Sequence, residues 1–359
     1  MSKPMILLSA GGTGGHVFPA RALAEELKAR DCRVAFITDT RGLKYLDGLS
    51  DPIHVLPLAS TVGGVKAKTR FVVSLLRSYT KAHKLVGALK PSAVIGFGGY
   101  PSAPALFAAQ HRMIPTILHE QNAILGLANI LLAPLARKIA LSHRGTKGLK
   151  PGWSEKSVFT GNPVRADIIA LHDKLYPELT DTLNLLIFGG SLGAKSFADI
   201  IPHSIIALAK EVQLKLQVTH QARAEDIDKV RQAYNAAGLD ADIKPFFDNI
   251  PERIEKAHLM ICRSGASTIS ETTCAGRPAV YIPYPWHKDQ QQLHNARCVA
   301  EVGGGWIIEE KFLTVESLHR KLSDIVTSEG ALADAAFHAR SLGTPDAASM
   351  LADQVMSIL

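Results

Sequence analysis

Cysteine is scarce in this chain of 359 residues, and long apolar runs are missing. The four cysteines, Cys32, Cys262, Cys274 and Cys298, form no CxxC pair and have no histidines clustered around them. That excludes a zinc finger or ribbon and fits a reducing compartment. A membrane-crossing helix needs roughly 20 mainly apolar residues. The uncharged stretch 91–111 is broken by Pro91, Pro101, Pro104, Gly96, Gly98 and Gly99, and the stretch 121–136 by Asn122, Asn129 and Pro134. Both are expected to be buried strand–loop–helix segments. The opening MSKPMILLSAGG has too short an apolar core for a secretory signal. Neither half carries a GxGxxG or GxxxxGK[ST] string in register, so the common dinucleotide and P-loop signatures are absent.

Acidic residues are also missing between Asp51 and Glu120, while Lys66, Lys68, Arg70, Arg77, Lys81, Lys84, Lys90 and Arg112 lie in that gap. The net charge of +7 hides this asymmetry. Residues 1–163 hold 21 Lys and Arg against 8 Asp and Glu, a net +13; the remainder holds 19 against 25, a net −6. Hydrophobic residues at 47% and charged residues at 20% exclude a disordered or fibrous chain. Length and charge together predict two domains facing different partners. The basic half suits nucleic acid, anionic lipid or a phosphorylated substrate, and charge alone does not choose among them.

What is present is a repeated order of strand, glycine loop and helix. Strands are predicted at 5–10, 33–38, 93–97 and 115–118, with Pro19 near a first helical turn. The theme restarts after Pro163, with strands at 183–188, 214–219, 259–262, 279–282 and 306–308. Such alternation predicts two doubly wound α/β halves, each with a parallel sheet covered on both faces.

Three glycine loops follow strands: GGTGGH at 11–16, GFGGYPSAP at 96–104 and FGGSLGAKS at 188–196. Glycine lets backbone amides approach an anion, and the helix that follows adds partial positive charge. Any one loop could equally be a tight turn. Asp39 ends the second strand, where a ribose-binding acid of an NAD site would stand. His16 ends the first loop, where it can be a general base near neutral pH or a histidine bonded to backbone. His119 and Glu120 in HEQN can position a sugar or serve as an alternative base; they can also cap the next helix, with Asn122 as its N-cap. In CRSGASTISE, Arg263 and the helix start at 264–268 offer donors to phosphate. Glu271, one turn on, suits a ribose diol, and Gln290, Gln291 and Gln292 suit sugar hydroxyls.

GGTGGHVFPA, GFGGYPSAP, HEQNAILGLANILLAP, GNPVR, GGSLGA, CRSGAST and HKDQQQ, in this order, resemble the MurG family of peptidoglycan-synthesis glycosyltransferases across nearly the whole chain. The resemblance implies a GT-B fold, two Rossmann-like domains separated by a cleft. Residues 1–163 with a returning C-terminal helix at about 342–359 would take acceptor and membrane; residues 164–341 would take UDP-GlcNAc. The implied reaction is inverting transfer of GlcNAc from UDP-GlcNAc to the muramoyl O4 of lipid I, giving lipid II and UDP, with no cofactor and no essential metal. It places Thr13, Gly14, Gly15, Asn122, Arg165, Ser191, the Phe247 backbone, Arg263, Ala266, Ser267, Thr268, Ile269, Ser270, Glu271, Gln291 and Gln292 on the donor. Gly11, Gly12, Gly98, Gly99, Tyr100, His119 and Asn129 fall to the acceptor. Departures from the family pattern are Leu192 in GGSLGA and Trp286 before HKD.

His16 is the first expectation for the base and Glu120 the second. Arg263, Ser191 and helix N-terminal amides would meet the charge on departing UDP. Because the implied acceptor is a lipid, the basic amphipathic stretch is expected to lie on the anionic inner leaflet of the cytoplasmic membrane, peripherally. Phe71, Val72, Leu75, Leu76 and Tyr79 would be its apolar side, and Lys66, Lys68 and Arg77 its basic rim. The alternative is a core-facing helix with a solvated rim. Other cell-wall synthesis and division proteins are implied partners; nucleic acid is not. A UDP-GlcNAc 2-epimerase needs neither this helix nor HEQN in this form. A diacylglycerol glycosyltransferase would share the donor site and take another lipid. A non-catalytic lipid-carrier-binding subunit would be free to lose Arg263, Glu271 and Gln292, and all three are present.

Overall fold

The computed structural model describes residues 3–59, 65–189 and 194–359, with the side chains of residues 65–68 not among them. The chain divides into two compact units: Met1–Arg165 with Asp346–Leu359, and Ala166–Pro345.

The first unit has strands β1 (Met5–Ser9), β2 (Arg33–Asp39), β3 (Ile53–Leu56), β4 (Ala93–Gly96), β5 (Thr116–Glu120), β6 (Lys138–Leu141) and β7 (Ser157–Phe159). They form one sheet in the order β3-β2-β1-β4-β5-β6-β7, and every pairing is parallel. Side chains alternate along a strand, so Met5 and Leu7 of β1 enter one core layer while Ile6 and Leu8 enter the other. Burial on both faces explains why β1 is apolar without alternation. The helix Gly14–Ala29 covers the second layer with Val17, Leu23 and Leu27. It begins earlier than expected, which puts Pro19 in its second turn. The C-terminal helix Ala347–Met356 adds Leu351, Ala352 and Val355 to the same layer. Arg30 holds it from outside, through Asp353 at 2.5 Å and the Ser349 hydroxyl at 2.8 Å.

The second unit has β8 (Thr182–Phe188), β9 (Lys215–Gln221), β10 (Ala241–Lys244), β11 (Leu259–Cys262), β12 (Ala279–Tyr281) and β13 (Gly305–Ile307). The sheet order is β10-β9-β8-β11-β12-β13, again parallel throughout. Leu183, Leu185 and Ile187 of β8 pack with Phe197, Ile201 and Ile205 of the helix Lys195–Glu211. Arg277 is wholly buried; its guanidinium donates to the carbonyls of Ile254, Glu255 and Ala275. That ties the turn after the helix Ala266–Cys274 to the helix Ile250–Lys256. Among the described residues, no helix is long and apolar enough to cross a membrane.

Two histidines are fully buried and neutral. Burial lowers His119 to about 4 and His220 to about 3. An unfolded histidine titrates near 6.5, so below that value the unfolded chain binds more protons than the folded one. Stability should therefore fall as pH drops from about 6.5 to about 4. Urea midpoints measured across that window should decrease steadily; a flat profile would contradict it.

Candidate active site

In a doubly wound sheet, ligands meet the carboxyl ends of the strands where the order reverses. In the first unit that point lies between β1 and β4. Asp39, at the end of β2, holds the first glycine loop. Its Oδ1 accepts the amides of Gly12 and Gly42 at 2.8 and 3.0 Å, and its Oδ2 accepts Arg41 Nε at 2.7 Å. The carboxylate is committed to the loop, which removes the NAD-type ribose role. Gly12 has φ +82°, a conformation that a side chain would strain.

His16 lies in the first turn of the helix Gly14–Ala29, over the loop that follows β4. Gly98 and Gly99 of that loop have φ +76° and +70°. A Cβ on Gly99 would come within 3.3 Å of His16 Nε2, so glycine makes room for the imidazole. His16 Nδ1 is 3.1 Å from Gln121 Oε1, and Gln121 Nε2 donates to the Phe97 carbonyl at 2.9 Å. Burial lowers the His16 pKa below the usual histidine value, against the opposing pull of Gln121 and Glu120. The ring is therefore neutral at pH 7, as a base requires. Gln121 sits in HEQN, yet sequence reasoning gave it no role.

Glu120 is buried, and both its oxygens are filled. Oε1 accepts the Asn122 backbone and side-chain amides at 3.0 and 3.1 Å; Oε2 accepts the Gly126 amide at 2.8 Å and Asn129 Nδ2 at 2.9 Å. A carboxylate has about four lone-pair sites, and four donors occupy them. Glu120, expected as the second candidate base, here shapes the loop. Asn122 is not a helix N-cap either, since the next helix, Leu127–Leu132, has Gly126 there. His119 is fully buried and bonds the Gly161 carbonyl through Nε2 at 3.0 Å, which takes it away from any acceptor. Asn129 is buried too. Thr13 is exposed at the N-cap position without a side-chain capping bond. Arg165 lies over the Phe18 ring at 5.8 Å, and Gly14 abuts the same ring.

The helix Val65–Leu89 divides its apolar residues differently from the expectation. Phe71 meets Tyr100 edge-on at 5.6 Å, and the Tyr79 hydroxyl bonds His111 at 2.6 Å. Phe71, Leu75 and Tyr79 are half-buried, so they are not the free face. Val72, Val73 and Leu76 are exposed, Leu76 by 63%, beside exposed Arg77. The helices Val65–Leu89, Gly99–His111 and Leu127–Leu132 pack in succession. Tyr100, Leu127, Leu131 and, just beyond, Leu135 are exposed as well. Lys66 and Lys68 have side chains outside the described residues.

In the second unit the order reverses between β8 and β11. The loop after β8 carries Ser191 and Leu192, which lie outside the described residues. The helices Lys195–Glu211 and Ala266–Cys274 start beyond these two strands, and first-turn amides of a helix favour anions. Lys195, exposed at one of these starts, went unassigned in the sequence reading. Arg263, expected on the phosphates, is buried. It pairs with Glu310 at 2.6 Å and donates to the carbonyls of Ile282 and Pro283. These contacts all fall on Nη1; Nη2 reaches the Ser196 hydroxyl at 3.5 Å, in the first turn of the helix Lys195–Glu211. Glu271 shares a helix face with Ser267 and Thr268, and all three are half-buried. Ile269 is buried, and the Ser270 hydroxyl bonds back to the Ala266 carbonyl at 2.9 Å. Gln292 Oε1 accepts the amides of Ser264 and Tyr284 at 3.2 and 3.0 Å, leaving its NH₂ to donate. Gln291 bonds His287 at 2.8 Å, and Gln290 closes a left-handed turn. The Phe247 ring is buried over Arg253, while Phe246 is exposed. Trp286 is exposed. A cavity of about 360 Å³, lined by Asn184, Gln217, Thr219, Asp242 and Arg253 among others, lies under the helix Ile250–Lys256. It is remote from the glycine-rich strand ends, and we attach no chemistry to it.

Residues 6–141 match the Glycosyltransferase family 28 N-terminal domain, and residues 184–351 match the family 28 C-terminal domain. A curated relative from Rhodospirillum centenum, a UDP-N-acetylglucosamine–N-acetylmuramyl-(pentapeptide) pyrophosphoryl-undecaprenol N-acetylglucosamine transferase, is 44% identical, over 99% of this chain and 95% of its own. The crystal structure of Acinetobacter baumannii MurG superposes with a TM-score of 0.81 at 28% identity, covering 99% of both chains. A UDP-GlcNAc 2-epimerase from Neisseria meningitidis reaches 0.70 at 13% identity, covering 98% of this chain and 100% of its own, which is likeness of fold alone.

Replacing Glu120 by Gln puts an NH₂ where one oxygen meets two donors. The expected result is a stability loss of about 1–3 kcal/mol with the acid limb of the pH–rate profile kept and moved to lower pH, because the Glu120 charge that pulls His16 up is gone. Loss of that limb would return Glu120 to the role of base.

Proposed function

The chain belongs to the UDP-N-acetylglucosamine–N-acetylmuramyl-(pentapeptide) pyrophosphoryl-undecaprenol N-acetylglucosamine transferases, a family of GT-B glycosyltransferases, and we propose that His16 is the base of its reaction. The enzyme transfers GlcNAc from UDP-GlcNAc to lipid I, giving lipid II for peptidoglycan synthesis. The observation that carries this function is 44% identity to such a transferase over 99% of the chain. The epimerase reading rests on fold alone and is set aside.

His16 Nε2 takes the proton from the acceptor hydroxyl of the muramoyl sugar. The oxygen forms its bond to C1 of GlcNAc as the bond from C1 to UDP breaks, with inversion, and UDP leaves with the electron pair. The glycine loops after β1 and β4, with Tyr100, cradle the acceptor diphosphate. Helix starts at Lys195 and Ala266 face the UDP phosphates. Glu271 accepts from the ribose hydroxyls, since a carboxylate near phosphates is favourable only on neutral donors. Gln292 donates its NH₂ to a sugar hydroxyl. Arg263 acts indirectly, by holding the loop that carries Ser264.

The enzyme works at the cytoplasmic face of the inner membrane. Val72, Val73 and Leu76 enter the leaflet surface, with Leu127, Leu131 and Leu135 alongside. Arg70, Arg77 and Lys84 contribute about 1 kcal/mol each near anionic lipid.

The reading is tested with radiolabelled UDP-GlcNAc and a lipid I analogue, following label into lipid and release of UDP. His16→Ala should lower turnover by roughly 10²–10⁴; unchanged turnover would remove His16 as base. With the His16 pKa lowered, wild-type kcat/KM should hold its plateau below pH 6.5 before falling; a limb centred above 6.5 would contradict it. Val72→Asp with Leu76→Asp should weaken binding to anionic vesicles in a flotation assay while sparing transfer to a short-chain soluble acceptor. Unaltered vesicle binding would refute the membrane face.

A further inference from the structure

Gln121 is buried at 1% exposure, at the end of β5. Its two amide atoms face different partners. One lies 2.9 Å from the Phe97 carbonyl, the other 3.1 Å from His16 Nδ1. A carbonyl oxygen accepts and never donates, so the atom beside Phe97 must be the NH₂ group. The oxygen of Gln121 then faces the imidazole, and it too only accepts. His16 Nδ1 must therefore carry the hydrogen. A neutral imidazole has one N–H, so Nε2 keeps a lone pair. Nε2 lies on the side of Gly99.

We propose that Gln121 is a positioning residue that fixes His16 in its Nδ1–H tautomer and so presents the Nε2 lone pair to the acceptor hydroxyl. This rests on the reading of His16 as base. The direction comes from the Phe97 carbonyl, which locks the amide against rotation. Proton, ring and amide form one chain: Phe97 C=O accepts from Gln121 Nε2–H, and Gln121 Oε1 accepts from His16 Nδ1–H. An amide does this without adding charge. A carboxylate would accept the same hydrogen and would also favour the imidazolium, which cannot take a proton.

The test uses the full chain with ¹⁵N-labelled histidine imidazoles, and His16→Ala identifies the His16 signals by their loss. At a pH where His16 is neutral, Nδ1 should show the protonated shift and Nε2 the unprotonated one. A protonated Nε2 in the wild type overturns the proposal. Gln121→Leu should move the population toward Nε2–H and lower kcat on the order of 10- to 100-fold, by analogy with the loss of a partner that orients a metal-ligating histidine, with KM little changed. Gln121→Glu retains an acceptor for Nδ1–H in either protonation state and should recover most of that loss at a pH high enough to deprotonate the imidazolium that a carboxylate favours. Equal losses in the Leu and Glu variants, with an unmoved tautomer, would mean a merely structural role and overturn it. The spectrum decides the tautomer whether or not His16→Ala abolishes transfer, so failure here is separable from failure of the base reading.

Discussion

Past the carboxyl ends of the first unit's strands the backbone has no ladder left to join, and its amides still need acceptors in a dry interior. Two buried carboxylates meet that need. Asp39 takes the amides of Gly12 and Gly42, and Glu120 takes those of Asn122 and Gly126. Each thereby gives a glycine-rich or polar loop a single shape. The arrangement leaves neither acid free for proton transfer. It leaves His16, between the two loops, as the neutral group with a lone pair to offer.

The same economy recurs in the second unit. Arg263 looks from its position like a phosphate clamp, yet its Nη1 is held by Glu310 and by the carbonyls of Ile282 and Pro283. Gln292 spends its oxygen on two backbone amides and keeps its NH₂. In both units the conspicuous charged side chains organise backbone. The groups proposed to meet the acceptor hydroxyl and the diphosphate are neutral: an imidazole, amide NH₂ groups and helix starts. Such groups favour a diphosphate by many small dipoles rather than by one ion pair, and they require no counter-ion when the ligand leaves.

Much of the architecture was legible in the sequence because parallel strands buried on both faces read as apolar runs such as MILLS and LLIF, each followed by glycine. The short strands β3, β6, β7 and β10 were not expected. With only three or four residues each and polar members such as Lys138, Ser157 and Asp242, they carry no run to detect. His16 and the HEQN stretch stood out as polar residues at strand ends. Their division of labour did not, because a carboxylate's role depends on how many donors surround it, and those donors come from residues 122–129. The amphipathic helix was found, but the period alone could not say which of Phe71, Val72, Leu75 and Leu76 faces outward. Tyr100, from the next helix, settles that by taking Phe71.

The charge asymmetry also takes on a narrower meaning. The basic stretch after Asp51 lies on the helix Val65–Leu89 and its surroundings, not on the glycine loops themselves. It suits attraction to a surface, whereas the loops recognise by shape. The central claim is that His16, and neither carboxylate, meets the acceptor. The most direct measurement is a structure with UDP and a lipid I analogue bound. The acceptor hydroxyl should lie about 3 Å from His16 Nε2, with Glu120 still holding its four donors. A hydroxyl bound instead to a Glu120 released from Asn122 and Gly126 would contradict the account.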